Sequence, residues 1–243
     1  MHKKIILENG LRLVTVPLRN TQNLTFLILV ATGSKYETKE TNGISHLLEH
    51  LFFKGTKKRP QTLDIAKELD RVGGIYNAFT SKELMGFFIK ANSRHLDLLI
   101  DIFSDILFCS LFKKEEIEKE KKVVVEEINM VLDDPQRYIS ELWEKLLYGD
   151  QPAGWMISGE KETVVKISRQ KILDYFQNQF GAENVAIVIS GNFSEDKVIS
   201  HAKEFFNFKK VKPAQKKKVK EVQSKPQILL HFKETDQSHL CLG

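Results

Sequence analysis

The apolar residues of 4–7 and the strand-like alternation of 11–16 flank Asn9-Gly10, a dipeptide suited to the left-handed conformations of a tight turn. A β-hairpin is predicted there. Residues 24–31 are apolar at nearly every position, which predicts a strand inside a sheet. From 43 to 53 the period becomes helical, with Thr41 or Asn42 as the expected cap. A second amphipathic helix is predicted over 62–72, between Pro60 and Gly73-Gly74. Strands at 75–80 and 84–91 follow, then long helices at 95–109 and about 113–133. Asp134-Pro135 ends the last of these and fits the first turn of another helix, 136–147. After a loop around 149–159, helix 169–180, strand 184–190 and helix 195–206 complete the body. The mixture predicts an α+β fold, one antiparallel sheet with helices packed on one face.

Beyond this body the pattern changes. Residues 207–225 are rich in lysine and read as a linker, and residues 227–232 and 239–243 read as strands. The expected organisation is a domain over 1–206, the linker, and the start of a second, related domain over 226–243. The last predicted strand stops in mid-run, so the chain reads as cut.

Charge follows the same division. The net charge is +5, but residues 201–243 hold ten lysines against four acids, leaving 27 basic and 28 acidic groups in residues 1–200. Aromatic side chains do not interleave with the lysines as stacking platforms would, so a solvated linker is expected and no nucleic-acid partner. With 42% hydrophobic and 28% charged residues the chain is globular rather than disordered. No apolar run reaches about 18 residues and the N-terminus lacks a signal-peptide pattern, so no membrane span is expected. Two cysteines, Cys109 and Cys241, are too few for a disulfide framework and suit a reducing, cytoplasmic setting.

The candidate chemistry lies in His46-Leu47-Leu48-Glu49-His50. Two histidines at i and i+4 project from one face of a helix about one turn apart and can grip one ion. Glu49, at i+3 from His46, lies beside them, placed to act on a water at the metal. This HxxEH order is that of the inverted zincins. A catalytic zinc site needs a third protein ligand and one open position. The helix over 113–133 offers one, because its buried stripe should run through Ile117, Val124, Ile128 and Leu132. Glu120 and Glu127 fall on or beside that stripe, where a carboxylate is costly unless compensated. Glu126 shares a face with Lys119 and Lys122, so Glu127 is the better-placed ligand and Glu126 the alternative.

The run from Gly43 to Thr56, with its HxxEH core, closely resembles the active-site segment of the pitrilysin, insulin-degrading enzyme and mitochondrial processing peptidase family of zinc endopeptidases. In that family a glutamate ligand follows the second histidine by about 75 to 77 residues, and Glu127 stands 77 residues after His50. The resemblance also gives Glu120 the role of a supporting catalytic acid beside Glu49. Gly73-Gly74 through Thr80 resembles a strand whose edge pairs with substrate backbone, which marks Asn77, Ala78 and Thr80 as substrate-binding. It implies one Zn2+ per chain on His46, His50 and Glu127, Glu49 as general base, and hydrolysis of peptide bonds in extended or unfolded peptides.

The subgroup resembled is the short bacterial processing-peptidase type, in which two related domains close over the peptide. The expected partners are therefore a peptide and the chain's own C-terminal half or a second subunit, a homodimer included. Two other readings compete with this one. A non-catalytic partner subunit of a processing-peptidase-like complex would carry a degenerate metal motif, whereas all four key residues are intact here. A lyase of the S-ribosylhomocysteine type also uses HxxEH but needs a reactive cysteine by the metal, and Cys109 ends an apolar helix.

Overall fold

The computed structural model describes residues 2–212 and 216–243. The hairpin forms as β1 (Lys3–Ile6) and β2 (Arg12–Pro17), paired antiparallel with Ile5 opposite Leu13. In chain order there follow β3 (Asn23–Val30), α1 (Ile44–Phe52), α2 (Thr62–Arg71), β4 (Ile75–Thr80) and β5 (Met85–Asn92). Then come α3 (Leu96–Cys109), α4 (Lys114–Asp133), α5 (Pro135–Tyr148), α6 (Lys161–Val164), α7 (Arg169–Gln179), β6 (Val185–Gly191) and α8 (Glu195–Phe205). The short α6 falls between the expected loop around 149–159 and the expected helix from 169, where no element was expected. Asp134 caps α5, its carboxylate accepting from the Gln136 and Arg137 N–H groups.

The six strands form one sheet in the order β1-β2-β6-β3-β5-β4. The expected α+β architecture holds, with one departure: β6 enters between β2 and β3 and runs parallel to β2, Leu13 opposite Ile187. A tight turn forces neighbouring strands to be antiparallel. β2 and β6 are separated by most of the chain, so no turn constrains their direction.

Register decides which face is covered. Leu24, Phe26, Ile28 and Val30 alternate as buried positions on β3. Ile28 stands opposite both Phe87 and Ile187, which aligns three strands' apolar residues on one face. Phe26 meets Phe103 of α3 at 4.9 Å between ring centres, and Phe87 meets Phe52 of α1 at 4.9 Å. Phe52 also touches Phe112, Phe176 and Phe180. The helix bearing the histidines is thus seated on the sheet by its last residue, and α4 packs against it.

Among the described residues of 207–243 no helix or strand forms, so the strands expected at 227–232 and 239–243 are absent. Ile228, Leu230, Phe232, Leu240 and Leu242 are exposed. An apolar run becomes a strand only when a neighbour supplies a ladder, and neither edge of this sheet pairs with it. Residues 213–215, inside the expected linker, lie outside the described residues. No described helix is long and apolar enough to cross a membrane.

Candidate metal centre

Helix α1 buries Ile44, Leu47, Leu48, Leu51 and Phe52 and turns its polar trio away from that side. Its start differs from expectation. Neither Thr41 nor Asn42 caps it: the N-cap is Gly43 at φ +93°, where a Cβ would also stand 2.6 Å from the Ser158 carbonyl oxygen. The orphan donors are met by a residue from outside the helix. The Glu37 carboxylate accepts from the Gly43 N–H at 2.8 Å, the Ser45 N–H at 2.9 Å and Asn42 Nδ2 at 3.0 Å, and Glu37 is only 1% exposed.

One turn on, the ligand atoms converge. His46 Nε2 and His50 Nε2 are 3.3 Å apart, and Glu127 Oε2 lies 3.5 Å from the first and 3.4 Å from the second. A tetrahedral zinc with bonds of about 2.0–2.2 Å separates its ligand atoms by roughly 3.3–3.6 Å. All three distances fall in that range, so the donor set fits the ion without rearrangement. Among the described residues this is the one group of three or more such side chains close enough to share an ion. Glu126 is exposed and accepts from Asn129 Nδ2 at 3.2 Å, on another face of α4.

Electrostatics separate the two histidines. Burial, aided by the neighbouring His50, lowers His46 to about 4, so it stands neutral with a free lone pair. Burial also pulls His50 down, but the hydrogen bond to Glu120 and the charges of Glu127, Glu120 and Glu49 outweigh it and raise the group. Glu120 does not enter the cluster. Its Oε2 meets His50 Nδ1 at 3.2 Å and its Oε1 meets Lys54 Nζ at 2.8 Å, which orients the ring from the side opposite Nε2. Burial pushes the Glu120 carboxyl up, yet these two contacts more than offset it and hold it low.

Glu49 makes neither of these contacts. Its Oε2 accepts a hydrogen bond from the Thr80 hydroxyl at the end of β4. Burial raises its carboxyl, partly opposed by that bond. Thr80, expected among the substrate-binding residues, therefore touches Glu49, a contact without a sequence signal. Asn77 and Ala78 lie on β4, which is an edge strand, and the Ala78 N–H donates to Asn77 Oδ1 at 2.8 Å. Tyr76 and Ala78 pack inward while Ile75, Asn77 and Phe79 are exposed.

Comparison with known proteins places the chain in a family. The family model described as insulinase (peptidase family M16) matches residues 12–160, and that described as the peptidase M16 inactive domain matches residues 166–243. An uncharacterized zinc protease of Bacillus subtilis, YmxG, is 35% identical over 243 residues, covering 100% of this chain and 59% of the relative. One of Rickettsia felis is 34% identical over 201 residues, covering 83% of this chain and 48% of the relative. The chain thus spans about half the length of the curated relatives it matches. Among solved structures, a protease from Helicobacter pylori superposes with a TM-score of 0.83 at 27% identity, over 91% of this chain and 54% of that one. Pitrilysin shares the fold, at TM-score 0.79 and 22% identity over 90% of this chain and 24% of its own. The chain belongs to the M16 (insulinase) family of peptidases.

Proposed function

We propose that this chain is the metal-bearing half of a zinc-dependent endopeptidase that cleaves extended or unfolded peptides. The observation that carries the reading is the convergence of His46, His50 and Glu127 at tetrahedral spacing beside the unliganded Glu49. Those three residues would hold one zinc per chain. The chemistry such an ion supplies is Lewis acidity towards a carbonyl oxygen and a water. Glu49 would serve as the general base beside that site, its carboxylate holding the proton between an attacking water and the leaving amine. Thr80 keeps the Glu49 side chain in place, and Glu120 with Lys54 keeps His50 presenting Nε2.

Substrate binding follows from position in the sheet. β4 is an edge, so its backbone can accept an extended peptide as an added strand, with Asn77 and Ala78 at the point of contact. The division at residue 206, the lysine-rich linker and a second domain from 226 belong to the same proposal, as does closure by a further half or subunit. The free cysteines Cys109 and Cys241 suit a reducing, cytoplasmic setting. The test is zinc content together with cleavage of a quenched peptide for wild type, His50→Ala, Glu127→Gln and Glu126→Gln. About one zinc per chain in wild type, lost with His50→Ala and Glu127→Gln but kept with Glu126→Gln, supports the reading. Equal zinc in all four overturns it.

A further inference from the structure

Helix α1 is nine residues long and must present His46 and His50 to Glu127 on a different helix. Side-chain tips on an α-helix stand about 5–6 Å from its axis, so a roll of about 10° displaces them by roughly 1 Å. Metal-ligand distances tolerate about 0.2 Å. Rotation about the helix axis is therefore the motion the fold has to suppress. The C-terminal end is fixed by Phe52 in its aromatic nest and by Glu120 on His50. The N-terminal end has no cap of its own, and its hold comes from buried polar groups on other segments.

Two such holds converge on Ser45, the residue before His46. Its N–H donates to Glu37 Oε1 at 2.9 Å. Its hydroxyl bonds the Tyr175 hydroxyl of α7 at 2.7 Å, which in turn meets the Thr32 hydroxyl at 2.8 Å. Glu37 Oε2 takes the Gly43 N–H and Asn42 Nδ2, and Asn42 Nδ2 also donates to the Met156 carbonyl at 3.2 Å. The first turn is thereby tied to the segment before the helix, to α7, and to the loop before α6. A buried carboxylate is costly unless every oxygen is used, and here three donors use both.

We infer that Glu37 is a positioning residue for the metal centre: its two-oxygen grip on the Gly43 and Ser45 N–H groups fixes the rotation of α1 and so sets zinc affinity. The inference rests on the zinc reading above. In Glu37→Gln the amide has one acceptor. If that oxygen keeps Gly43 and Asn42, the NH2 group faces the Ser45 N–H, donor against donor, next to His46.

The experiment measures zinc affinity by competition with a chromophoric chelator on metal-stripped full-length protein, together with the melting temperature of the stripped protein. The variants are wild type, His50→Ala, Glu37→Gln, Asn42→Ala and Ser194→Ala. Ser194 caps the remote helix α8, accepting from the Lys197 N–H, so its loss lowers stability without touching α1. The expected result is a zinc Kd at least tenfold weaker in Glu37→Gln, a smaller weakening in Asn42→Ala, and no change in Ser194→Ala. A Kd for Glu37→Gln within twofold of wild type, with only the melting temperature lowered, makes Glu37 a stability residue and overturns the inference. Should Glu37→Gln not fold, an unchanged Kd in Asn42→Ala overturns it and a weakened one supports it. A wild type that binds zinc no better than His50→Ala fails the zinc reading itself, and the inference with it.

Discussion

Replacing Glu49 by glutamine removes one proton acceptor and leaves almost everything else in place. The Thr80 hydroxyl that donates to Glu49 Oε2 can still donate to the amide oxygen, in a weaker, uncharged bond. None of the ligand contacts among His46, His50 and Glu127 involves Glu49. Burial already disfavours the Glu49 carboxylate, so a neutral isostere relieves that cost rather than adding one. The melting temperature of Glu49→Gln is therefore expected to equal or slightly exceed that of wild type, with unchanged zinc content. General-base catalysis contributes about 10²–10⁴-fold, or roughly 3–5 kcal/mol in the barrier. A fall of at least 10²-fold in kcat/KM is expected in the full-length protein. The assay is cleavage of a quenched peptide at matched zinc occupancy, beside a melting curve. A kcat/KM within tenfold of wild type refutes Glu49 as the base. A parallel loss of zinc shows instead that the residue holds the site together.

Phe52→Ala, which empties the aromatic nest under α1, is expected to cost about 3–5 kcal/mol in urea unfolding; less than about 1 kcal/mol would show that the nest does not seat the helix. In zinc-free protein the two histidines should act oppositely on stability. His46 is depressed from 6.5 to about 4, so its contribution is present above 6.5 and lost as pH falls towards 4. His50 is raised, so its contribution is present below 6.5 and lost as pH rises through its folded value. Unfolding of His46→Asn and His50→Asn between pH 4.5 and 8 checks both signs, and parallel curves for the two variants would refute the assignment. Finally, this 243-residue chain is expected to cleave peptides more slowly than the full-length protein at equal zinc, because one edge strand positions a peptide from one side only; equal kcat/KM would show the chain to be self-sufficient.

The sequence by itself determined what depends on near neighbours along the chain. Asn9-Gly10 dictated the first hairpin, and the i, i+4 spacing of His46 and His50 dictated that they share a helix face. Helical period favoured Glu127 over Glu126, which stayed as the alternative, since only one of two adjacent residues can face α1. Long-range pairing was another matter. Nothing local tells β6 to enter between β2 and β3, because its Val185–Gly191 run satisfies equally well any slot in which both edges find partners. The apolar run over 227–232 has the same strand-like pattern and forms no strand, so pattern alone does not supply the ladder.

The centre divides along the same line. His46, Glu49 and His50 were legible as a motif, but their supports come from elements remote in sequence. Thr80 on Glu49 and Glu120 on His50 are contacts between separate elements, brought together by packing. Thr41-Asn42 before Gly43 carries an ordinary capping signal, yet the carboxylate of Glu37 takes those donors instead. A cap is chosen by whichever acceptor the tertiary fold buries against the free N–H groups. Periodicity along the chain fixes which residues share a face, and only the packed structure fixes what that face meets.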